Sequence, residues 1–144
     1  MRWRTAAGIA IALAAVPAAV LLAHSSRSIA RATPDGTALA YVDACRAGDA
    51  ISIANGSDLT SEQRAESLRY CRSESGREDV LNMAKRLQEP LRLGPSYEDG
   101  DDAAVTVVTD DIYLELYMYK VGERWRLTHT EEGAHIGDVP GRYR

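Results

Sequence analysis

Few side chains in this 144-residue chain are of a kind that does chemistry, and none of them falls into a catalytic signature. Cys45 and Cys71 are the only cysteines. In an exported domain an even cysteine count favours a disulfide. Each of the two lies on the apolar side of a predicted helix, so a Cys45–Cys71 bond would staple two helices together, with a gain of about 3 kcal/mol on the chain-entropy account. The alternative is a pair of buried free thiols. His129 is the one histidine that strand alternation places on an inward face, where an imidazole can serve as acid or base. The plainer account is a satisfied histidine at the rim of the core. His24 belongs to an apolar leader and His135 to a glycine-rich tail. Spaced ligands for a metal are lacking, and nothing in the pattern asks for a cofactor. The acidic stretch Glu98, Asp99, Asp101 and Asp102 lacks the alternating ligands and closing glutamate of a calcium loop, and reads as a solvated turn around Gly100.

The elements that must position these residues are organised around Ala103 to His129, which reads as three consecutive strands. Gly122-Glu123 suits a two-residue hairpin with glycine at the first central position, where positive φ is needed. That turn pairs Val121 with Arg124, Lys120 with Trp125, Met118 with Leu127 and Leu116 with His129. A turn at Asp110-Asp111 independently pairs Val107 with Leu114 and Val105 with Leu116. Alternation then gives one face to Val105, Val107, Ile112, Leu114, Leu116, Met118, Trp125, Leu127 and His129, and the other to Thr106, Tyr113, Glu115, Tyr117, Tyr119, Arg124, Arg126 and Thr128. Tyr113, Tyr117, Tyr119, Arg124 and Arg126 form an aromatic and arginine combination of the kind enriched at interfaces, fit for a homodimer or an envelope protein partner. Tyrosine is equally an ordinary exposed strand residue.

Ahead of the strands the chain reads as helical. Thr33 caps a helix with Pro34 at its first position, running to Gly48. Asp49 caps a short segment that Asn55-Gly56 ends. Thr60 with Gln63 makes a capping box for a helix to about Arg72, and Ser75 with Glu78 repeats the signature for a helix over 77–89, which Pro90 stops. Leu91 to Tyr97 forms a first strand interrupted at Gly94-Pro95. Helices followed by a mostly antiparallel meander indicate an α+β domain, predicted over 33–132 with a loose tail over 133–144.

Residues 1–32 read as an export signal or N-terminal membrane anchor. Arg2 and Arg4 precede an apolar run from Ala6 to Ala23, about long enough to span a bilayer, and Ala30-Arg31-Ala32 offers a cleavage site before Thr33. Either way the domain is extracytoplasmic, secreted or held at the membrane. Of the 17 Lys and Arg residues, four precede Thr33 and no Asp or Glu does, which leaves 13 basic against 21 acidic residues and a formal charge of −8. That balance argues against nucleic acid as a partner.

The step Arg46-Ala47-Gly48-Asp49 at the end of the first helix, the helix before the first strand, and the terminal hairpin Gly-x-x-Trp-Arg-Leu from Gly122 to Leu127 resemble the small extracytoplasmic members of the NTF2-like superfamily, over roughly Asp35 to Glu132. The resemblance implies a cone, with N-terminal helices packed on a curved, mainly antiparallel sheet and a cavity between them. Leu114, Leu116, Met118, Trp125 and Leu127 would line it, with Tyr41 and Val42 from the first helix. An apolar lining suits a hydrophobic small molecule; if the helices fill the space, these residues are core. The favoured expectation is a noncatalytic binding or assembly module. One alternative is an accessory subunit of an envelope transport or secretion complex. Another is a ketosteroid-isomerase-like enzyme, which requires His129 to converge with Asp43 or Tyr41 on an open cavity.

Overall fold

The computed structural model describes residues 27–94 and 96–133 and consists of four helices and a five-stranded antiparallel sheet. Helix α1 is Pro34–Ala47, α2 Ala50–Asn55, α3 Ser61–Arg72 and α4 Glu74–Arg86; the strands are β1 Arg92–Leu93, β2 Tyr97–Asp99, β3 Asp102–Val108, β4 Tyr113–Val121 and β5 Arg124–Gly133. The α+β class is as expected. Capping explains the helix starts. Thr33 Oγ1 accepts from Gly36 N, with Pro34 in the first turn, and Thr60 and Gln63 close a complete capping box. Helix α4 begins earlier than its sequence signal because Ser73, not Ser75, is the cap, accepting from Gly76 N while its hydroxyl donates to Tyr70 O. Ser73 thus ends α3 and starts α4. A Cβ at position 76 would lie 2.0 Å from the Tyr70 carbonyl oxygen, so only glycine permits this junction.

The sheet order is β1-β3-β4-β5, with β2 also paired to β3. The expected strand over 91–97 divides into β1 and β2 around Gly94, and the acidic stretch becomes a tight turn, with Asp99 opposite Asp102 and Gly100 at φ 59°. Both hairpin counts hold at their turns: Val121 faces Arg124, Lys120 faces Trp125, Met118 faces Leu127, and Val105 and Val107 face Leu116 and Leu114. Gly122 has φ 63°, as a glycine-first turn demands.

The expected Leu116–His129 pair is not formed. A β-bulge between Tyr117 and Met118 makes Thr128 the extra residue, so Tyr117 faces His129 and Leu116 faces Thr130. Thr128 Oγ1 donates to Tyr117 O, satisfying a carbonyl at the break in the ladder. Because one inserted residue reverses the alternation, His129, Glu131 and Gly133 share the outer face with Tyr117, Glu115 and Tyr113. A Cβ on Gly133 would lie 2.0 Å from the Tyr113 ring, so a side chain at 133 would oblige that ring to move.

The core lies between the sheet and α1, with Val105, Val107, Leu114 and Leu116 wholly buried against Ala38, Val42 and Cys45. Residues 27–32, expected as the end of the leader, are part of this domain. Ile29 and Ala30 are each 1 % exposed. Ile29 N donates to Ser52 O, Trp125 N donates to Arg31 O, and Asn55 Nδ2 donates to Arg27 O. The backbone of Gly56 lies against Ile29, where a Cβ would sit 2.3 Å from Cγ1. The fold therefore starts before the expected boundary at Thr33. The leader expected before Arg27 and the tail expected after Gly133 lie outside the described residues. Among the described residues no helix is long and apolar enough to cross a membrane.

Emptying the Ile29 site by Ile29→Ala is expected to cost about 3 kcal/mol, as core truncations do. A chain shortened to start at Thr33 should lose more, because Trp125 N also loses its acceptor. Chemical denaturation of the two variants beside the parent measures both effects.

Candidate functional site: the outer sheet face

The residues expected to line a cavity are placed together, and they are filled core. Tyr41, Val42, Leu114, Leu116, Met118, Trp125 and Leu127 belong to one cluster and are at most 7 % exposed. Trp125 illustrates how the space is used: its ring is buried, Lys120 Nζ lies 5.7 Å over it, and its carbonyl accepts from Thr37 Oγ1 at 3.1 Å. Tyr41 and Cys45, one turn apart on α1, are both interior. Burial first, and then the neighbouring Cys45, push the Tyr41 phenol well above its ordinary range. Burial raises the Cys45 thiol to about 11 against the smaller lowering effect of its hydrogen bond with Tyr41.

The expected Cys45–Cys71 disulfide is not formed; both thiols are free. The reason lies in helix packing. Helix α3, which carries Cys71, packs on α2 and α4, whereas Cys45 faces the sheet from α1. Cys71 Sγ is directed at Ala50 O of α2, 3.9 Å away.

Asp43 and His129 are not brought together. Asp43 is exposed on the flank of α1 and lines a hollow beside residues 27–33. His129 is on the opposite side of the sheet, its side chain 57 % exposed, because the bulge turns it outward. An acid–base pair between them has no shared cavity in which to act.

What the bulge assembles instead is an outer-face cluster. The His129 ring stacks on Tyr117 with centroids 4.3 Å apart and planes 6° from parallel. Thr128 Oγ1 is 3.3 Å from His129 Nδ1, and Glu131 lies within 3.8 Å of Nε2 and 3.4 Å of the Tyr117 hydroxyl. Beside the stacked pair is a recess of about 210 Å³, bounded by Tyr97, Ala104, Glu115, Tyr117, Met118 and His129. The Tyr97 hydroxyl donates to Asp99 at 3.2 Å, and the charge of that carboxylate raises the phenol above its usual range.

The remaining interface candidates part company. Tyr113 lies over Gly133 and Tyr119 is 40 % exposed. Arg124 and Arg126 turn away to the N-terminal segment and α2, donating to Ala30 O and Asn55 O at 3.0 Å each. The centre of the outer face is also drier than alternation suggests: the cross-strand pair Thr106 and Glu115 is 0 % and 3 % exposed. Sequence reasoning placed Tyr97 at the end of a first strand but gave it no site role, because the stretch after it was read as a solvated turn and its pairing with Ala104 was not seen. Among the described residues no group of three or more His, Cys, Asp or Glu side chains could hold a metal ion. No protein-family model matches the chain, and no curated protein or solved structure is significantly similar to it.

Thiol chemistry checks the interior placement. In native protein, iodoacetamide should modify Cys71 and reach Cys45 only on unfolding. The Cys45 thiol ionises near 11 when folded and near 9 when unfolded. Its contribution to stability is therefore fully present below pH 9 and is lost as pH rises toward 11. Cys45→Ala should flatten that part of a stability–pH profile.

Proposed function

We propose that this is a noncatalytic, extracytoplasmic, membrane-tethered module with an NTF2-like plan, whose cone is filled and which binds a protein partner through the outer sheet face. The observation that carries the reading is the size and make-up of the recess beside the Tyr117–His129 stack. At about 210 Å³ it is smaller than the roughly 300–1,000 Å³ of small-molecule pockets. It suits a single side chain inserted by a protein partner. Its walls combine aromatic rings and polar tips, the composition that anchors protein interfaces. The separation of Asp43 from His129 weighs against the isomerase-like alternative, and the filled core weighs against a hydrophobic ligand between helices and sheet.

An accessory role in an envelope transport or secretion complex is the specific form of this reading that a tether favours. The described fold begins at Arg27, only a few residues after the apolar run ends at Ala23, so the module works beside a membrane if that run is retained.

A photo-crosslinking residue placed at Tyr117 should give one adduct of defined mass in the native envelope, while the same group at the exposed Leu81 of α4 should not. His129→Ala should weaken the adduct about tenfold, as loss of an interface anchor does. Equal labelling at both positions, or none at Tyr117, would overturn the proposal.

A further inference from the structure

The arginines that leave the tyrosine face are gathered elsewhere. Arg27, Arg31, Arg64, Arg124 and Arg126 line one open hollow of about 1200 Å³, beside the segment by which the chain enters the fold. Asp43 and Asp49 are the acids in the lining, and Asp49 is 3.7 Å from Arg27. The other four arginines pair with no carboxylate among the described residues. The hydrogen bonds of Arg31, Arg124 and Arg126 go to main-chain carbonyls, which hold the side chains without neutralising them. Arg64 Nε is buried without a hydrogen-bond partner. The body that carries this hollow is acidic, with 15 basic against 21 acidic residues and a formal charge of −6 from Arg27 onward. Charge on the molecule is therefore polarised, with its basic pole at the chain's entry point.

The geometry points to this basic hollow as a docking face for anionic phospholipid, which fixes the orientation of the domain on the membrane that tethers it. The inference rests on the tethered reading above. With the run Ala6–Ala23 spanning a bilayer, only His24, Ser25 and Ser26 separate it from Arg27. Four Cα steps reach at most about 14 Å. The headgroup layer itself is about 5–8 Å deep on each side, and charges act over about 8–10 Å at ordinary ionic strength. Arg27 thus cannot leave the range of the lipid phosphates, and the other four arginines line the same hollow. An acidic body repelled by the same surface leaves this one face as the favourable contact.

The test uses the full chain reconstituted in vesicles, either of phosphatidylcholine alone or with about 30 % phosphatidylglycerol, enough to give an anionic surface. Hydrogen exchange is followed over 27–33 and 122–127. Exchange there should slow about tenfold in the anionic vesicles and return at about 0.5 M salt. Arg64→Glu should abolish the slowing. Because Arg124 and Arg126 also hold backbone carbonyls, Arg64 is the variant of choice, and unchanged exchange of β3 and β4 controls for its folding. Exchange that is indifferent to lipid charge, in a chain that resists alkaline extraction, would overturn the docking face and leave the tether standing. Extraction of the chain at alkaline pH would remove the tether and the docking face with it. The same slowing produced by inorganic phosphate alone in detergent would reassign the hollow to a free anion.

Discussion

The backbone of Trp125 is the point at which three separate parts of the chain are joined. Its N–H donates to Arg31 O, its carbonyl accepts from Thr37 at the start of α1, and its ring fills the space between helix and sheet. Thr37 Oγ1 also accepts from Arg31 N, which ties the N-terminal segment to the same residue from its other side. Two residues on, Leu127 N donates to Gly56 O and Leu127 O accepts from Asp58 N. The first half of β5, an edge strand by topology, is therefore covered by chain from before α1 and after α2. An edge occupied in this way cannot serve as a template for another strand.

The second constraint is the bulge at Thr128. On one side of it β5 delivers Trp125 and Leu127 to the core; on the other it delivers His129 and Glu131 to the outer face. Continuing the regular ladder would have directed an imidazole and a carboxylate toward Leu116 and Leu114, where burial of unpaired polar groups is costly. The inserted residue resolves that conflict and at the same time stacks His129 on Tyr117. The inner side retains one charge beyond the bulge, Glu132, and Arg86 at the end of α4 pairs with it.

Where a local rule has a local cause, the chain was readable. Thr33, the Thr60–Gln63 box and Gly122 each specify a helix start or a turn through their own hydrogen bonds or φ, and the apolar set from Val105 to Leu127 is buried as alternation requires. Three features depend on distant partners and were not readable. The bulge is decided by what Leu116 and Tyr117 meet across the ladder. Ile29 looked like leader because a small-x-small cleavage site, Ala30-Arg31-Ala32, follows it, and only Ser52 and Gly56 reveal it as core. Cys45 and Cys71 each face inward, yet helical periodicity says nothing about which helices adjoin. Tyr97, expected in a strand, was hidden as a site residue for a related reason: its place beside Tyr117 and His129 depends on the pairing of β2 with β3 across the turn at Gly100.

The junction at Ser73 leaves α3 and α4 without any loop between them, and the pair is shallowly seated. No residue of α3 is buried, and in α4 only Gly76 is. Helix α4 packs along α1 and α3 on α2, with Met83 against the core, and at the end of α4 Leu87 is wholly enclosed and its carbonyl accepts two bonds from Arg46. With so little of their surface enclosed, α3 and α4 contribute less burial to the fold than α1 and the sheet do, which places them toward the end of the structure that opens locally at low free-energy cost.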